Sequence, residues 1–180
     1  MKKIWEKTKA YICWAHGKPY YLGSKTFHYG LQLLMACFFL AGWWWLLNHT
    51  ALSPTDSLRH RLFFKKAAVA GKTYQQGDYV TFDVEHPLEK GKVISIIKRV
   101  ACIEGDTLTI RDREYYCNGK YLGLAKEKNI KGQPTNPWKE EGQIGKGWAF
   151  VIGDSPDSYD SRYYGPISLD RIKEQLWAIW

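Results

Sequence analysis

The sequence predicts a mostly-β domain preceded by one membrane-spanning helix. An uncharged apolar run near the N-terminus indicates the helix, and short β-branched segments separated by turn residues indicate the strands that follow it. Aromatic residues make up 16% of the chain, which supports a packed core and excludes a disordered or collagen-like protein. A length of 180 residues suits one domain of ordinary size together with an anchor.

The apolar run covers residues 29–47 and carries no charge. As a helix rising about 1.5 Å per residue it is about 28 Å long, close to the ~30 Å hydrocarbon core of a bilayer. Tryptophans 43–45 lie at its far end, where indole rings favour the membrane interface. A buried core helix is one alternative, although the run lacks a polar stripe. A cleavable signal peptide is another, although no small-x-small cleavage site follows.

Most of the net charge of +8 lies in front of this run. Residues 1–28 contain six lysines and one glutamate, so the positive-inside rule predicts a cytoplasmic N-terminal segment. Residues 48–180 are then expected outside, in the periplasm of a bacterium whose inner membrane holds the anchor at 29–47. This exported part has 20 basic and 17 acidic residues, counting from residue 48. That near balance offers no basic face, and we expect no nucleic-acid partner.

The predicted strands follow the anchor. They alternate in polarity or are rich in β-branched residues, and they end at Gly, Asn or Asp. These segments are residues 78–84, 93–102, 107–110, 114–117 and 147–152. The third and fourth flank a polar turn and predict a hairpin, and Asn118-Gly119 predicts the next tight turn. Residues 123–146 are rich in Lys, Gly, Pro and Asn and predict a surface loop.

Two cysteines, Cys102 and Cys117, fall on adjacent predicted strands of the exported part. An oxidising periplasm would allow them to form a disulfide, which would stabilise a loop of this length by about 3 kcal/mol. Two buried thiols are the alternative. Acidic residues, histidines and glycines show no metal-ligand or phosphate-loop spacing, so we expect neither a metal nor a cofactor.

Lys98 is unusual because it lies inside an apolar strand. Either its stem packs while its amine reaches water, or the whole side chain is buried. Burial would lower the pKa of the amine toward about 7–8 and make it a general base near neutral pH. A neutral amine can activate a serine, and Ser53 and Ser57 both follow the anchor closely.

Three blocks in the same order resemble the signal peptidase I superfamily of Ser–Lys proteases. Residues 57–63 begin at a serine beyond a single span. Residues 97–106 include a Lys-Arg-Val and a Gly-Asp, and residues 153–166 include Gly-Asp and Asp-Ser-Arg-Tyr. The phrasing Pro-Asp-Ser-Tyr-Asp-Ser-Arg-Tyr and the single anchor are closest to the TraF-type branch, the pilin-maturing peptidases of bacterial conjugation. The resemblance implies a signal-peptidase-like β domain over the exported part.

The resemblance also implies roles for individual residues. Ser57 matches the nucleophile and Lys98 the general base, while Ser158 matches the hydroxyl that orients the lysine amine. Asp160 and Arg162 match a supporting ion pair beneath the site. The implied substrate is a pilin precursor or another membrane-tethered preprotein, and some relatives cyclise their pilin. The implied partners are the membrane lipid and the components of a conjugation or type IV secretion system.

The first block departs from the family pattern, since Arg59 and Arg61 replace its usual Pro and Gly. An alignment on Ser53-Pro-Thr would instead put Ala51 at the nucleophile position and predict an inactive protein. Two other functions therefore stay open. One is a housekeeping type I signal peptidase with broad substrates, and the other is a catalytically inactive periplasmic scaffold for assembly.

Overall fold

The computed structural model describes residues 13–15, 18–20, 25–69, 71–85 and 92–179. It divides into two compact units, Met1–Asn48 and His49–Trp180. Most of the predicted cytoplasmic segment lies outside the described residues.

The first unit contains a short antiparallel pair, β1 (Cys13–Ala15) with β2 (Lys18–Tyr20), and the helix α1 (Lys25–His49). From His28 to His49 this helix is long and apolar enough to cross a membrane by length and composition. Its side chains from His28 to His49 are exposed, and a helix that is apolar all round without lying in a protein core fits a membrane span. The helix extends beyond the predicted run of 29–47 at both ends.

The second unit is built mainly from strands. In chain order they are β3 (Thr50–Leu52), β4 (Leu62–Ala67), β5 (Tyr79–Glu85), β6 (Val93–Cys102), β7 (Thr107–Arg111), β8 (Glu114–Cys117), β9 (Lys120–Leu124), β10 (Gly142–Gln143), β11 (Trp148–Ile152), β12 (Ile167–Ser168) and β13 (Ile172–Ala178). One short helix, α2 (Ser161–Tyr164), lies between β11 and β12, and a 3₁₀ turn, Leu169–Arg171, precedes β13. The mostly-β prediction is confirmed.

Seven of these strands form one sheet in the order β12-β11-β6-β5-β13-β4-β3. The longest strand, β6, pairs with β5 in a register that sets Val80 opposite Lys98. Alternation therefore puts Lys98 on the same face as Val80 and Val100, which are fully buried. This face of β5 and β6 belongs to the main hydrophobic core.

A four-stranded sheet in the order β10-β7-β8-β9 carries the predicted hairpin. The turn residues Asp112 and Arg113 have φ angles of 47° and 71°, and Asn118 has φ 49°, as tight hairpin turns require. The predicted loop at 123–146 is mostly irregular, apart from the end of β9 and the short strand β10. Cys102 and Cys117 form a disulfide that joins β6 to β8, with their Cα atoms 5.9 Å apart.

At the end of the seven-stranded sheet formed by β13, β4 and β3, one face is apolar and exposed. Phe64 lies opposite Thr50 on β3 and opposite Trp177 on β13, so the three share a face. Large side chains exposed at this edge are Leu52, Phe64, Trp177 and Ile179. We call these four residues the apolar face. The opposite face of the same strands buries Phe63 and Leu176.

Candidate active site

Lys98 is almost fully buried, with 4% of its surface exposed. Its Nζ donates a hydrogen bond to Ser158 Oγ at 2.9 Å. Burial lowers the pKa of the amine to about 8; the negative charge of Asp160 opposes this change, and the positive charge of Arg162 adds to it. The structure therefore holds a lysine that releases its proton near neutral pH. Of the two conformations that the sequence left open, it shows the buried one.

The loop after β11 brings the site together. Ser158 lies in this loop, and its N–H donates to Ser155 O at 3.1 Å. Gly153, at the start of the loop, has no room for a side chain: a Cβ there would collide with Ser158 and lie 2.7 Å from Ser57 O. A glycine is needed because this loop, Ser158 and the Ser57 backbone approach so closely.

Asp160 and Arg162 form a buried ion pair below this loop, with 0% and 2% of their side chains exposed. Two parallel hydrogen bonds of 2.8 and 2.7 Å join the carboxylate to the guanidinium. Asp160 also accepts from Gly153 N at 2.9 Å and caps the N-terminus of α2. Burial tends to lower the pKa of Arg162, but the hydrogen bonds and charge of Asp160 outweigh it and raise that pKa.

The remaining donors of Arg162 bind backbone carbonyls of Leu124 at 3.0 Å, Ser155 at 3.2 Å and Ser158 at 3.4 Å. Every part of this buried pair thus has a partner, which a buried charge requires. Because two of the carbonyls belong to the loop of Ser158, the pair fixes the residue that hydrogen-bonds Lys98.

Ser57 is half-buried in the loop between β3 and β4. Its carbonyl accepts from Asp154 N at 2.8 Å and Ser155 N at 3.2 Å, so its backbone is bound to the loop that carries Ser158. Its Oγ lies 3.0 Å from Thr55 Oγ1. Within the described residues no hydrogen bond joins Ser57 Oγ to Lys98 Nζ. The structure connects the two residues through the loop at 153–158.

The competing residues lie elsewhere in the same segment. Ala51 is on β3 opposite Phe63 and packs against the small core of Leu58, Phe63 and Leu176. Ser53 is buried, and its Oγ donates to Thr55 O at 3.3 Å. Neither contact connects these residues with Lys98.

Asp154 contributes to the site, although the sequence indicates it only as part of the Gly-Asp turn that follows a strand. Its Oδ2 accepts from Arg59 N at 3.1 Å, and its Oδ1 accepts from Arg99 Nε at 3.1 Å. One carboxylate thereby ties the Ser57 loop to the strand that carries Lys98. Thr55 is also absent from the predicted site residues, although its position two residues before Ser57 indicates that its hydroxyl can lie close to the nucleophile. Nothing in the spacing distinguished Asp154 from the other acidic residues.

A second polar cluster surrounds the disulfide. Asp106 accepts from Gln76 Nε2 at 2.8 Å, Asn118 Nδ2 at 2.7 Å and Ile103 N at 2.8 Å. These bonds lower the pKa of its carboxyl even though partial burial acts to raise it. Its oxygens and the sulfurs of Cys102 and Cys117 lie within 4.8 Å of one another, as in a metal site. Both sulfurs are used by the disulfide, so the cluster is not a set of metal ligands.

Known proteins that are similar to this chain are processing or signal peptidases. The family described as "Signal peptidase, peptidase S26" matches residues 22–180. The chain is similar to thylakoidal processing peptidase 1 of Arabidopsis thaliana, with 28% identity over 131 residues, 68% of this chain and 37% of that protein. It is also similar to signal peptidase I V of Bacillus subtilis, with 30% identity over 129 residues, 65% of this chain and 73% of that protein. A solved signal peptidase I from Enterococcus faecalis aligns with a TM-score of 0.35 at 25% identity, over 56% of this chain and 94% of that one.

Proposed function

The chain belongs to the signal peptidase family, peptidase S26, and from that premise we propose that it is a membrane-anchored serine endopeptidase with Ser57 as nucleophile and Lys98 as general base. The buried amine of Lys98, with its pKa lowered to about 8, is the observation that carries the proposal. A lysine exposed to water stays protonated and cannot accept a proton from serine at neutral pH. This change of pKa corresponds to about 3 kcal/mol, which is the free energy that burial of the charged amine costs the fold. A purely structural role would not explain why the fold keeps a lysine at such a cost.

The chemistry begins when Ser57 Oγ turns from Thr55 toward the free amine of Lys98. The amine takes the hydroxyl proton, and Ser57 attacks the carbonyl carbon of the substrate peptide. The backbone N–H of Ser57 and the hydroxyl of Thr55, 3.0 Å from Ser57 Oγ, then bind the negatively charged oxygen. Lys98 gives the proton to the leaving amine, and a water or the substrate's own amine releases the acyl group.

Three further residues support this reaction without taking part in it. Ser158 accepts a hydrogen bond from Lys98 and so orients its amine. Asp160 and Arg162 hold the Ser158 loop in place through buried hydrogen bonds. Asp160 also moderates the fall in the pKa of Lys98, because its negative charge favours the protonated amine.

We further propose that α1 anchors the protein in a bacterial inner membrane, with residues 1–28 in the cytoplasm and residues 48–180 in the periplasm. The lysine-rich N-terminal segment supports this orientation. The apolar face supports membrane association of the second unit, because four large apolar side chains exposed on one face fit a domain that works at the lipid surface.

The substrate that we propose is a pilin precursor of a conjugative transfer system. The Pro-Asp-Ser-Tyr-Asp-Ser-Arg-Tyr segment, which contains the buried Asp160–Arg162 pair, supports the assignment. Type IV secretion components would then be neighbours at the membrane. A housekeeping signal peptidase is the second candidate, favoured by the relatives named signal peptidase I. Rescue of a strain depleted of its own signal peptidase would favour the housekeeping function.

The decisive experiment incubates the membrane-embedded chain with a candidate pilin precursor and follows the product by mass spectrometry. We expect cleavage by the wild type and none by Ser57→Ala. Ser53→Ala is the matched control, because Ser53 is a neighbouring serine whose Oγ binds only the local backbone, and it should retain cleavage. A product lighter than the linear mature form by one water would show cyclisation. Cleavage by Ser57→Ala would refute the nucleophile, and no cleavage by the wild type of any preprotein would favour the scaffold.

A further inference from the structure

Arg59 and Arg61, the two departures from the family pattern, differ in what their guanidinium groups contact. Arg61 Nη2 donates to Asp56 Oδ1 at 2.5 Å, in an ion pair open to solvent. Arg59 is anchored only by its backbone N–H, which donates to Asp154 Oδ2 at 3.1 Å. Among the residues that the structure describes, no acidic side chain pairs with the exposed guanidinium of Arg59.

The surroundings of Arg59 leave its charge unbalanced. The acidic residue that contacts the backbone of Arg59, Asp154, already pairs with Arg99 at 3.1 Å. The pKa of Tyr79 reports the same group of charges: burial raises it, Asp154 raises it further, and Arg99 and Arg59 act in the opposite direction. Asp154 thus neutralises Arg99, as Asp56 neutralises Arg61. Among the described residues, the charge of Arg59 is left without a counter-ion, two positions from Ser57.

Arg59 lies close enough to Ser57 to meet a bound substrate. Two residues of chain span at most about 7 Å, and an extended peptide advances about 3.3 Å per residue. The Arg59 side chain can therefore reach the substrate side chains nearest to the cleaved bond. Its planar guanidinium matches a carboxylate, which it can bind through two parallel hydrogen bonds. The hydrogen bond to Asp154 fixes the backbone from which it projects.

We propose that Arg59 is a specificity-determining residue that binds an aspartate or glutamate within three residues of the cleaved peptide bond. This inference rests on the proposed function, because it takes Ser57 as the nucleophile. Exposed ion pairs are weak, so the expected preference is about two- to fivefold in kcat/KM at low salt. It declines toward one at 1 M salt, where charges are screened over about 3 Å.

The test uses the full-length chain in lipid micelles and a series of peptides with an Ala-x-Ala sequence before the cleaved bond. Each peptide carries Glu, Gln or Lys either at the x position or at one of the three positions after the bond, so that both alanines are kept. We expect one or more Glu peptides to be cleaved faster than their Gln counterparts. Arg59→Gln should remove that preference, and Arg59→Glu should replace it with a preference for Lys.

Arg61→Gln is the matched control, since it removes the same charge from the same loop but from a guanidinium that Asp56 already binds. It should keep the preference for Glu. Equal cleavage of Glu and Gln peptides by the wild type would overturn the inference, and so would an equal loss of preference in both arginine variants. Peptide affinities of the Ser57→Ala variant, measured by fluorescence anisotropy, test the same ratios without cleavage.

The outcomes also separate this inference from the proposed function. If Ser57→Ala abolishes cleavage while the wild type ignores substrate charge, only the role of Arg59 fails. If Ser57→Ala still cleaves the peptides, the proposed function fails first.

Discussion

Lys98 and Ser57 have contrasting environments, although both touch the same loop. Lys98 is 4% exposed, and its partner Ser158 rests on a buried ion pair whose donors are all bound. Ser57 is half-buried, its carbonyl is tied to the loop backbone, and its hydroxyl contacts only Thr55. The fold therefore surrounds the base with buried contacts, whereas among the described residues the Ser57 hydroxyl has only Thr55 as a hydrogen-bond partner. Substitutions in the buried half around Lys98 should cost both stability and rate, whereas substitutions in the half around Ser57 should mainly affect rate or specificity.

The largest expected effect comes from Lys98→Met, which keeps the bulk of the side chain and removes the amine. We expect cleavage to fall by about 10⁴-fold, since the amine of Lys98 is the general base of the proposed reaction. Lys98→His should retain little activity. Lys66→Met is a control on the exposed part of β4 and should remain active. The measurement is single-turnover cleavage of a preprotein; substantial activity of Lys98→Met would show that another residue is the base.

The second expected effect is a loss of stability when the buried ion pair that supports the Lys98 half is broken. Asp160→Asn leaves Arg162 buried without its counter-ion and should lower the free energy of unfolding by about 3–5 kcal/mol. Asp157→Asn breaks an exposed pair with Lys126 on the same loop and should cost less than about 1 kcal/mol. Denaturant unfolding followed by tryptophan fluorescence measures both. Similar losses in the two variants would mean that the buried pair does not hold the site.

The third effect concerns the disulfide between β6 and β8. Replacing Cys102 and Cys117 together with serine should lower stability by about 3 kcal/mol, the chain-entropy value for a separation of 15 residues. Cys37→Ser, in α1, is the control and should change little. Mass spectrometry after thiol labelling checks that only Cys102 and Cys117 resist alkylation before reduction. Complete labelling of Cys102 and Cys117 without reductant would contradict the bond.

Regions with strong local patterns were the ones that the sequence alone could predict. The bounds predicted for β6 and β8 coincide with the observed ones, because β-branched runs and turn residues mark both ends. The burial of Lys98 could not be decided in the same way. Alternation gives the face of a side chain, but here the cover comes from Ser158, which lies 60 residues further along the chain. The contacts of Asp154 with Arg59 and Arg99 are equally long-range, and no local pattern indicates them.

The smallest expected effect is a shift in the pH dependence of cleavage, and it depends on Asp154, which contacts both halves. Cleavage should rise with pH and level off above about 8, because only the neutral amine of Lys98 accepts the serine proton. The negative charge of Asp154 favours the protonated amine and so raises the pKa of Lys98. Asp154→Asn removes that charge and keeps one of the two oxygens that accept from Arg59 and Arg99, so the midpoint should move to lower pH. The shift should be modest, because the Asp154 side chain is 25% exposed and its charge is screened.

The profile of kcat against pH for wild type, Asp154→Asn and Asp157→Asn measures this shift. Asp157 lies on the same loop, but its carboxylate pairs with Lys126 and does not act on Lys98, so its variant should keep the wild-type midpoint. A midpoint that moves upward in Asp154→Asn would mean that loss of geometry outweighs loss of charge. Equal movement in both variants would mean that the general charge of the loop, and not a contact of Asp154 with both halves, sets the protonation of the base.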